Sequence, residues 1–194
     1  MRHGTLVDLD GQRVGVRFTV ELAASPDRVW RAVSDPADMR TWFPQTVTYR
    51  PHVGGPVELT DDPNRPSTQG EVLAYDPPRA FAFTWGEDEL WFEVSDAASS
   101  PEGAPAARLT LTDVLDLRDS AARNAAGWEV CLDELEAHLA DDDPAGPHTP
   151  EARKRWRRYY EEYVSTGMPA GAPIPGDDDG GFGGERVEAG QEET

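Results

Sequence analysis

The amino-acid sequence predicts an α+β fold in which a curved antiparallel sheet wraps around one long helix near the C-terminal end of the domain. Residues 120–140 carry large apolar side chains at the spacing of one helix face. These are Trp128, Leu132, Leu135 and Leu139. The preceding segments alternate apolar and polar residues between turn-forming sequences, which is typical of antiparallel strands. An amphipathic helix is stable only against an apolar surface, so we expect these strands to supply one.

The elements before the long helix follow from residue periodicity and turn chemistry. A first strand is predicted at residues 15–22, where apolar and polar residues alternate. Ser25 then caps a short helix beginning at Pro26, and a second short helix is predicted at residues 37–42. The connection 96–107 is predicted to be a mobile hairpin loop. The remaining strands are predicted at residues 46–51, 56–61, 70–76, 79–85, 89–94 and 108–117.

The long helix should have one buried face and one face in solvent. The acidic residues Glu129, Asp133, Glu134 and Glu136 are predicted to lie on the solvent face. Gly127 is unfavourable inside a helix, which predicts either a close backbone approach or a gap beside Trp128.

The chain divides into a domain and flanking segments. We predict an N-terminal extension at residues 1–13, the domain at 14–141 and a linker at 142–150. An accessory amphipathic helix follows at 151–166, and residues 167–194 are predicted to be an acidic disordered tail. The accessory helix combines an aromatic stripe with five basic residues in its first half. It either binds a partner or docks on the acidic domain, and the acidity of the domain favours docking.

Composition excludes some functions. The chain has 37 acidic and 18 basic residues and a formal charge of -19, which disfavours binding of nucleic acid or an anionic membrane. Its single cysteine, Cys131, cannot form an internal disulfide, and no run of about 18 apolar residues is present. These observations predict a cytoplasmic protein with neither nucleic acid nor membrane as a partner.

Six short pieces of sequence, spread over residues 14–140, resemble a known family. The pieces are Ser25-Pro26 with Val29-Trp30, Trp42-Phe43-Pro44, Gly54-Gly55, Gly70-Glu71-Val72, Asp76-Pro77-Pro78-Arg79 with Phe83-Thr84-Trp85, and Gly127-Trp128 with Leu132, Leu135 and Leu139. Together they resemble the bacterial proteins similar to the C-terminal domain of the activator of Hsp90 ATPase, within the START-like (SRPBCC) superfamily. The resemblance implies a helix-grip fold, as in START and Bet v 1-like proteins, with a cavity between sheet and long helix. It implies no catalytic motif.

A direct search for chemistry identifies few candidates. The four histidines are scattered, so no metal site is predicted, and no motif indicates a cofactor. Asp113 and Asp116 lie on one predicted strand and differ in facing, so at most one points inward. A buried carboxylate there would either act as a base with a raised pKa or pair with an arginine.

Three functional hypotheses follow from these patterns. The first is non-enzymatic binding of a small apolar or amphipathic ligand between the sheet and the long helix. The second is a protein-interaction or co-chaperone-like module that uses Trp42, Phe43 and helix 151–165. The third is a cyclase-type or hydrolase-type enzyme acting in the cavity, although no nucleophile or acid–base pair is evident.

The candidate ligand-binding residues are the large apolar side chains of the strands, of the second short helix and of the long helix. Each of them either lines the cavity or fills the core. They are Trp42, Phe43, Phe81, Phe83, Trp85, Phe92, Leu111, Trp128 and Leu132.

Overall fold

The computed structural model describes residues 2–9, 11, 13–97 and 106–174. Over these residues, eight strands form one antiparallel sheet in the order β1-β2-β8-β7-β6-β5-β4-β3. The strands are β1 Thr5–Asp8, β2 Val14–Leu22, β3 Thr46–Tyr49, β4 Pro56–Thr60, β5 Thr68–Asp76, β6 Ala80–Trp85, β7 Asp88–Asp96 and β8 Ala107–Leu115. The helices are α1 Pro26–Ser34, α2 Pro36–Met39, α3 Ala121–Leu139 and α4 Pro150–Ser165.

The predicted helix-grip arrangement is confirmed. The sheet is curved, and α3 is the long helix that it wraps. Along β2, alternate residues such as Val16, Phe18 and Val20 are buried, which is the pattern of a strand with one face on the core. Phe81, Phe83 and Trp85 of β6 are also buried, so the inner face of the sheet is aromatic at this position.

The N-terminal segment contains a strand that was not predicted from the sequence. Residues 1–13 were expected to be an extension, but β1 lies within them and pairs with β2, with Thr5 opposite Arg17. The main-chain amides of Arg2 and His3 also donate hydrogen bonds to the carboxylate of Glu129 on α3. Backbone pairing and these long-range hydrogen bonds fix the segment, and neither leaves a signal in local sequence.

Part of the predicted tail also packs on the domain. Ala122, at the start of α3, donates its main-chain N–H to the carbonyl of Pro169 at 2.9 Å. Arg123 donates to the carbonyl of Pro173. Pro169 therefore supplies an acceptor to one of the first-turn amides of α3, which have no partner within the helix, whereas the bond to Pro173 comes from the guanidinium of Arg123. The rest of the predicted tail, 175–194, and residues 98–105 of the predicted mobile loop lie outside the described residues.

The solvent face predicted for α3 is wrong at two positions. Glu129 and Glu134 are buried, because α4 and the N-terminal segment cover that side of α3. Glu129 accepts from the hydroxyl of Tyr163 at 2.8 Å, and Glu134 pairs with Arg155. The accessory helix is thus docked on α3, which is the alternative that the acidity of the domain favoured.

Trp42 and Phe43, which were predicted to bind ligand or to form part of an interaction surface, are both buried. Helix α2 ends at Met39, so the pair lies in a turn and is not restricted to opposite faces of a helix. Trp42 donates its indole N–H to the carbonyl of Ala32 at 2.9 Å, and Phe43 contacts Trp128 with 5.8 Å between ring centroids.

None of the helices in the described part of the chain is long and apolar enough to span a membrane.

We predict that Tyr163→Phe destabilises the protein by about 2 to 3 kcal/mol, because it removes two buried hydrogen bonds, one of them to a carboxylate. The hydroxyl of Tyr163 accepts from the main-chain N–H of Gly4 at 2.7 Å and donates to Glu129 at 2.8 Å. Urea unfolding measures the change. Tyr160→Phe, on the same helix, is the control because its hydroxyl bonds to no described residue. Equal effects of the two variants would contradict this role for Tyr163.

Candidate functional site

A cleft of about 620 Å³ lies between α3, α4 and the loop that joins β4 to β5. The strand β6 contributes Trp85 to its wall, and α3 contributes Asn124, Gly127 and Trp128. The lining from α4 includes Trp156 and Tyr160, and the loop supplies Arg65. The cleft is therefore bounded by the sheet on one side and by two helices on the others.

Gly127 leaves space in the cleft at the point where α4 passes α3. A Cβ atom built at this position would have only Trp156 Nε1 near it, at 4.0 Å. The residue is in the interior of α3 and has no positive φ, so its lack of a side chain is not required by backbone conformation. Of the two alternatives predicted for Gly127, the structure shows the gap beside Trp128.

Aromatic rings form much of the cleft. Trp85 and Trp128 lie 5.4 Å apart between ring centroids, and Trp156 stacks on Tyr160 at 5.1 Å with nearly parallel planes. Trp156 also donates its indole N–H to the main-chain carbonyl of Arg123 at 3.3 Å, which ties the ring of α4 to α3. Such a surface can bind a flat apolar group by stacking and by burial of apolar area.

A buried polar network lies behind the tryptophan rings that line the cleft. Oδ2 of Asp113 on β8 accepts hydrogen bonds from Asn124 Nδ2 and Trp128 Nε1, both at 2.9 Å. Asn124 also bonds to Asp88, and Asp88 accepts from the main-chain N–H of Asp116. These bonds fix the indole of Trp128 and the amide of Asn124, which both line the cleft.

The charge state of Asp113 depends on its burial. The pKa of Asp113 is raised from 3.8 to about 7, chiefly by burial and next by the nearby charge of Asp88, against the opposing effects of the hydrogen bonds from Trp128 and Asn124 and of the charge of Arg65. Oδ1 of Asp113 has no hydrogen-bond partner among the described residues. The sequence predicted that at most one of Asp113 and Asp116 points inward, and this is confirmed, since only Asp113 is buried.

Arginines line the cleft beside the aromatic rings. The turn that begins at Asp62, where Asn64 N bonds to Asp62 Oδ1 at 2.8 Å, places the guanidinium of Arg65 over Trp85, 4.2 Å from the ring centroid. Arg123 lies on α3, and Arg153 and Arg157 reach the cleft from α4. Burial, followed by the charge of Arg65, lowers the pKa of Arg123, so these two cations lie close enough to repel each other.

The nine residues predicted to bind ligand separate into two groups. Trp85 and Trp128 line the cleft. All nine belong to the buried core, where Trp85 and Trp128 keep only 7% and 2% of their surface exposed. The seven that do not reach the cleft are Trp42, Phe43, Phe81, Phe83, Phe92, Leu111 and Leu132.

Sequence reasoning missed Asn124, Arg65, Arg123, Trp156 and Tyr160 as site residues. Asn124 could have been identified from the sequence, because it is a polar residue one turn before Trp128 on the apolar face of α3. The arginines had none, since their position depends on how the loop and α4 pack.

The lining supplies little chemistry of its own. Burial raises the pKa of the Cys131 thiol far above its ordinary value, so the thiol is protonated at neutral pH and is a poor nucleophile. No group of three or more His, Cys, Asp or Glu side chains in the described part of the chain could hold a metal ion.

We predict that the stability of the wild-type protein relative to Asp113→Asn falls as the pH rises. The folded-state pKa of Asp113 is raised, so its favourable contribution is complete below about pH 4 and is lost as the pH approaches about 7. Urea unfolding of both proteins at about pH 5 and about pH 8 measures this difference, and groups common to both cancel. A difference that does not change with pH would show that Asp113 remains ionised in the folded protein.

Comparison with known proteins identifies the family. A family model described as "Activator of Hsp90 ATPase homolog 1-like protein" matches residues 23–140, which is more than half of the chain. Comparison with curated proteins found no match.

Solved structures share the fold. CalU16 from Micromonospora echinospora has a TM-score of 0.64 and 20% identity, over 85% of this chain and 96% of that one. The protein encoded by gene BPP1335 from Bordetella parapertussis has a TM-score of 0.60 and 25% identity, over 84% and 90%. DynU16, "a putative protein in the dynemicin biosynthetic locus", has a TM-score of 0.57 and 25% identity, over 67% of this chain and 48% of DynU16. The chain thus belongs to the Activator of Hsp90 ATPase homolog 1-like family, with the helix-grip fold of START-type proteins.

Proposed function

We propose that the protein binds a small amphipathic molecule with a ring system in the cleft between α3 and α4, without transforming it. The observation that carries this proposal is an aromatic cleft of about 620 Å³ with free space beside Gly127. Ligand-binding clefts usually have volumes of about 300 to 1,000 Å³, with mostly apolar walls and a few fixed polar groups. Trp85, Trp128 and Trp156 supply such walls, and Asn124 supplies a fixed amide.

The proposed ligand site is displaced from the one expected from sequence. Seven of the nine expected residues fill the space between the sheet and α3, so the ligand is placed at the end of that interface, under α4. Among the relatives, DynU16 is described as a putative protein in a biosynthetic locus, which is compatible with a small-molecule ligand. Cys131 is a free and buried thiol, which supports a reducing compartment such as the cytoplasm.

Binding is a better account of the site than catalysis or protein interaction. Asp113 has a raised pKa, but Asn124 and Trp128 both bond to it and lie between it and the cleft. The thiol of Cys131 is protonated at neutral pH, so the walls offer no activated nucleophile. The protein-interaction alternative loses one of its motivations, because Trp42 and Phe43 are buried.

We predict that Gly127→Leu lowers the affinity for N-phenylnaphthylamine, a neutral two-ring fluorescent probe, by at least about tenfold, because the added side chain fills the cleft beside Trp156 and Trp128. The matched control is Gly127→Ala, whose single methyl group has only Trp156 Nε1 near it, at 4.0 Å. This variant should bind the probe like the wild type and gain about 0.5 to 1 kcal/mol of stability from helix propensity.

Fluorescence titration measures the affinity, and thermal unfolding confirms that both variants are folded. Undiminished probe binding by a folded Gly127→Leu protein would contradict the proposed site. Absence of binding by the wild type, both of this probe and of a charged derivative with the same rings, would contradict the proposed function.

A further inference from the structure

The charge around the cleft is opposite in sign to that of the chain. The whole chain carries a formal charge of -19. The cleft, however, is lined by Arg65, Arg123, Arg153 and Arg157, against two carboxylates. A second groove of about 590 Å³ continues this basic surface along the outside of α4 and adds Lys154 and Arg158. Basic side chains are thus concentrated at one place in an acidic protein.

Arg65 and Arg123 are the two cations best placed for a ligand in the cleft. Arg65 lies over the ring of Trp85, and Arg123 donates to two neutral oxygens, those of the Asn124 side chain and the Pro173 main chain. Within the part of the chain that the structure describes, neither is in an ion pair. Asp88 and Asp113 act on Arg123 only at longer range.

Other arginines of this protein have carboxylate partners. Arg2 pairs with Asp133 and Glu136, and Arg155 pairs with Glu134. Acidic side chains are therefore available in this protein. Arg65 and Arg123 nevertheless repel each other with no carboxylate paired to either of them among the described residues. Half-buried cations in this arrangement are stabilised when an anion binds between them, because a guanidinium forms strong charge-assisted hydrogen bonds with carboxylate, sulfonate or phosphate oxygens.

We propose that the ligand of this cleft is an aromatic anion whose ring packs on Trp85, Trp128 and Trp156, and whose carboxylate, sulfonate or phosphate group is bound by Arg65 and Arg123. The inference rests on the proposed function and adds the chemical class of the ligand. The overall charge of the protein repels anions, so selectivity for an anion has to come from the local arginines.

The test uses two probes with the same ring system. N-phenylnaphthylamine is neutral, and anilinonaphthalene sulfonate carries one sulfonate on the same rings. The wild-type protein should bind the sulfonate at least about tenfold more tightly than the neutral probe, which corresponds to one charge-assisted hydrogen bond. Raising the salt concentration should weaken binding of the sulfonate and leave binding of the neutral probe unchanged, because salt screens only the charged interaction.

Substitutions of single arginines test which side chain makes the cleft prefer the sulfonate to the neutral probe. Arg65→Gln should lower the affinity for the sulfonate about tenfold more than it lowers the affinity for the neutral probe, since the neutral probe has no charged contact to lose. Arg50→Gln removes the same charge at an exposed position outside the cleft lining and should change neither affinity. Arg123→Gln is a second variant of the proposed site, should Arg65→Gln fail to fold.

The outcomes separate this inference from the proposed function. Equal affinity for the two probes, or equal effects of Arg65→Gln and Arg50→Gln on the sulfonate, would overturn the inference. If the inference fails in this way but the neutral probe still binds tightly, the proposed function remains supported. If neither probe binds to the wild type, both are overturned.

Discussion

The packing of α4 on α3 is the contact on which the cleft depends. Its centre is the buried carboxylate of Glu129, which accepts from the hydroxyl of Tyr163 and from the main-chain amides of Arg2 and His3. A carboxylate without such donors would be strongly unfavourable at a buried position. One side chain of α3 therefore joins three segments that are far apart in sequence, and α4 is fixed where it forms a wall of the cleft.

A second polar network fixes the opposite wall. Asp113 holds the indole of Trp128 and the amide of Asn124, so both groups have a defined orientation before a ligand arrives. Because the bonds are buried, each is stronger than it would be in water, and loss of one partner would leave a costly unpaired group. Such preorganisation lowers the entropy that a ligand loses on binding.

The fold could be predicted from sequence because its signals are local. Apolar residues recur along α3 at the spacing of one helix face, and turns such as the one at Asp62 contain residues that favour turn conformations. The site was harder to predict. Large apolar residues give the same pattern whether they fill a core or line a cleft, so Phe81 and Trp85 could not be distinguished.

Most of the unpredicted features of the site depend on long-range contacts. Glu129 is buried because residues more than 30 positions away cover it, and its place on the polar face of α3 indicated solvent. Arg65 reaches Trp85 only because the loop between β4 and β5 folds back over β6. The gap beside Gly127 could be predicted locally, because glycine is unfavourable inside a helix and its presence there indicates that the space of a side chain is needed.

The tryptophan side chains that a ligand contacts show whether it binds in the cleft between α3 and α4. Each indole N–H gives a separate signal in a proton–nitrogen NMR spectrum, and N-phenylnaphthylamine can be titrated against the assigned signals. We predict that the signals of Trp85, Trp128 and Trp156 shift, while those of Trp42 in the core and Trp91 on the outer face of β7 do not. A shift of Trp42 with no change at Trp156 would instead place the ligand between the sheet and α3, and would contradict the α3–α4 cleft as the binding site.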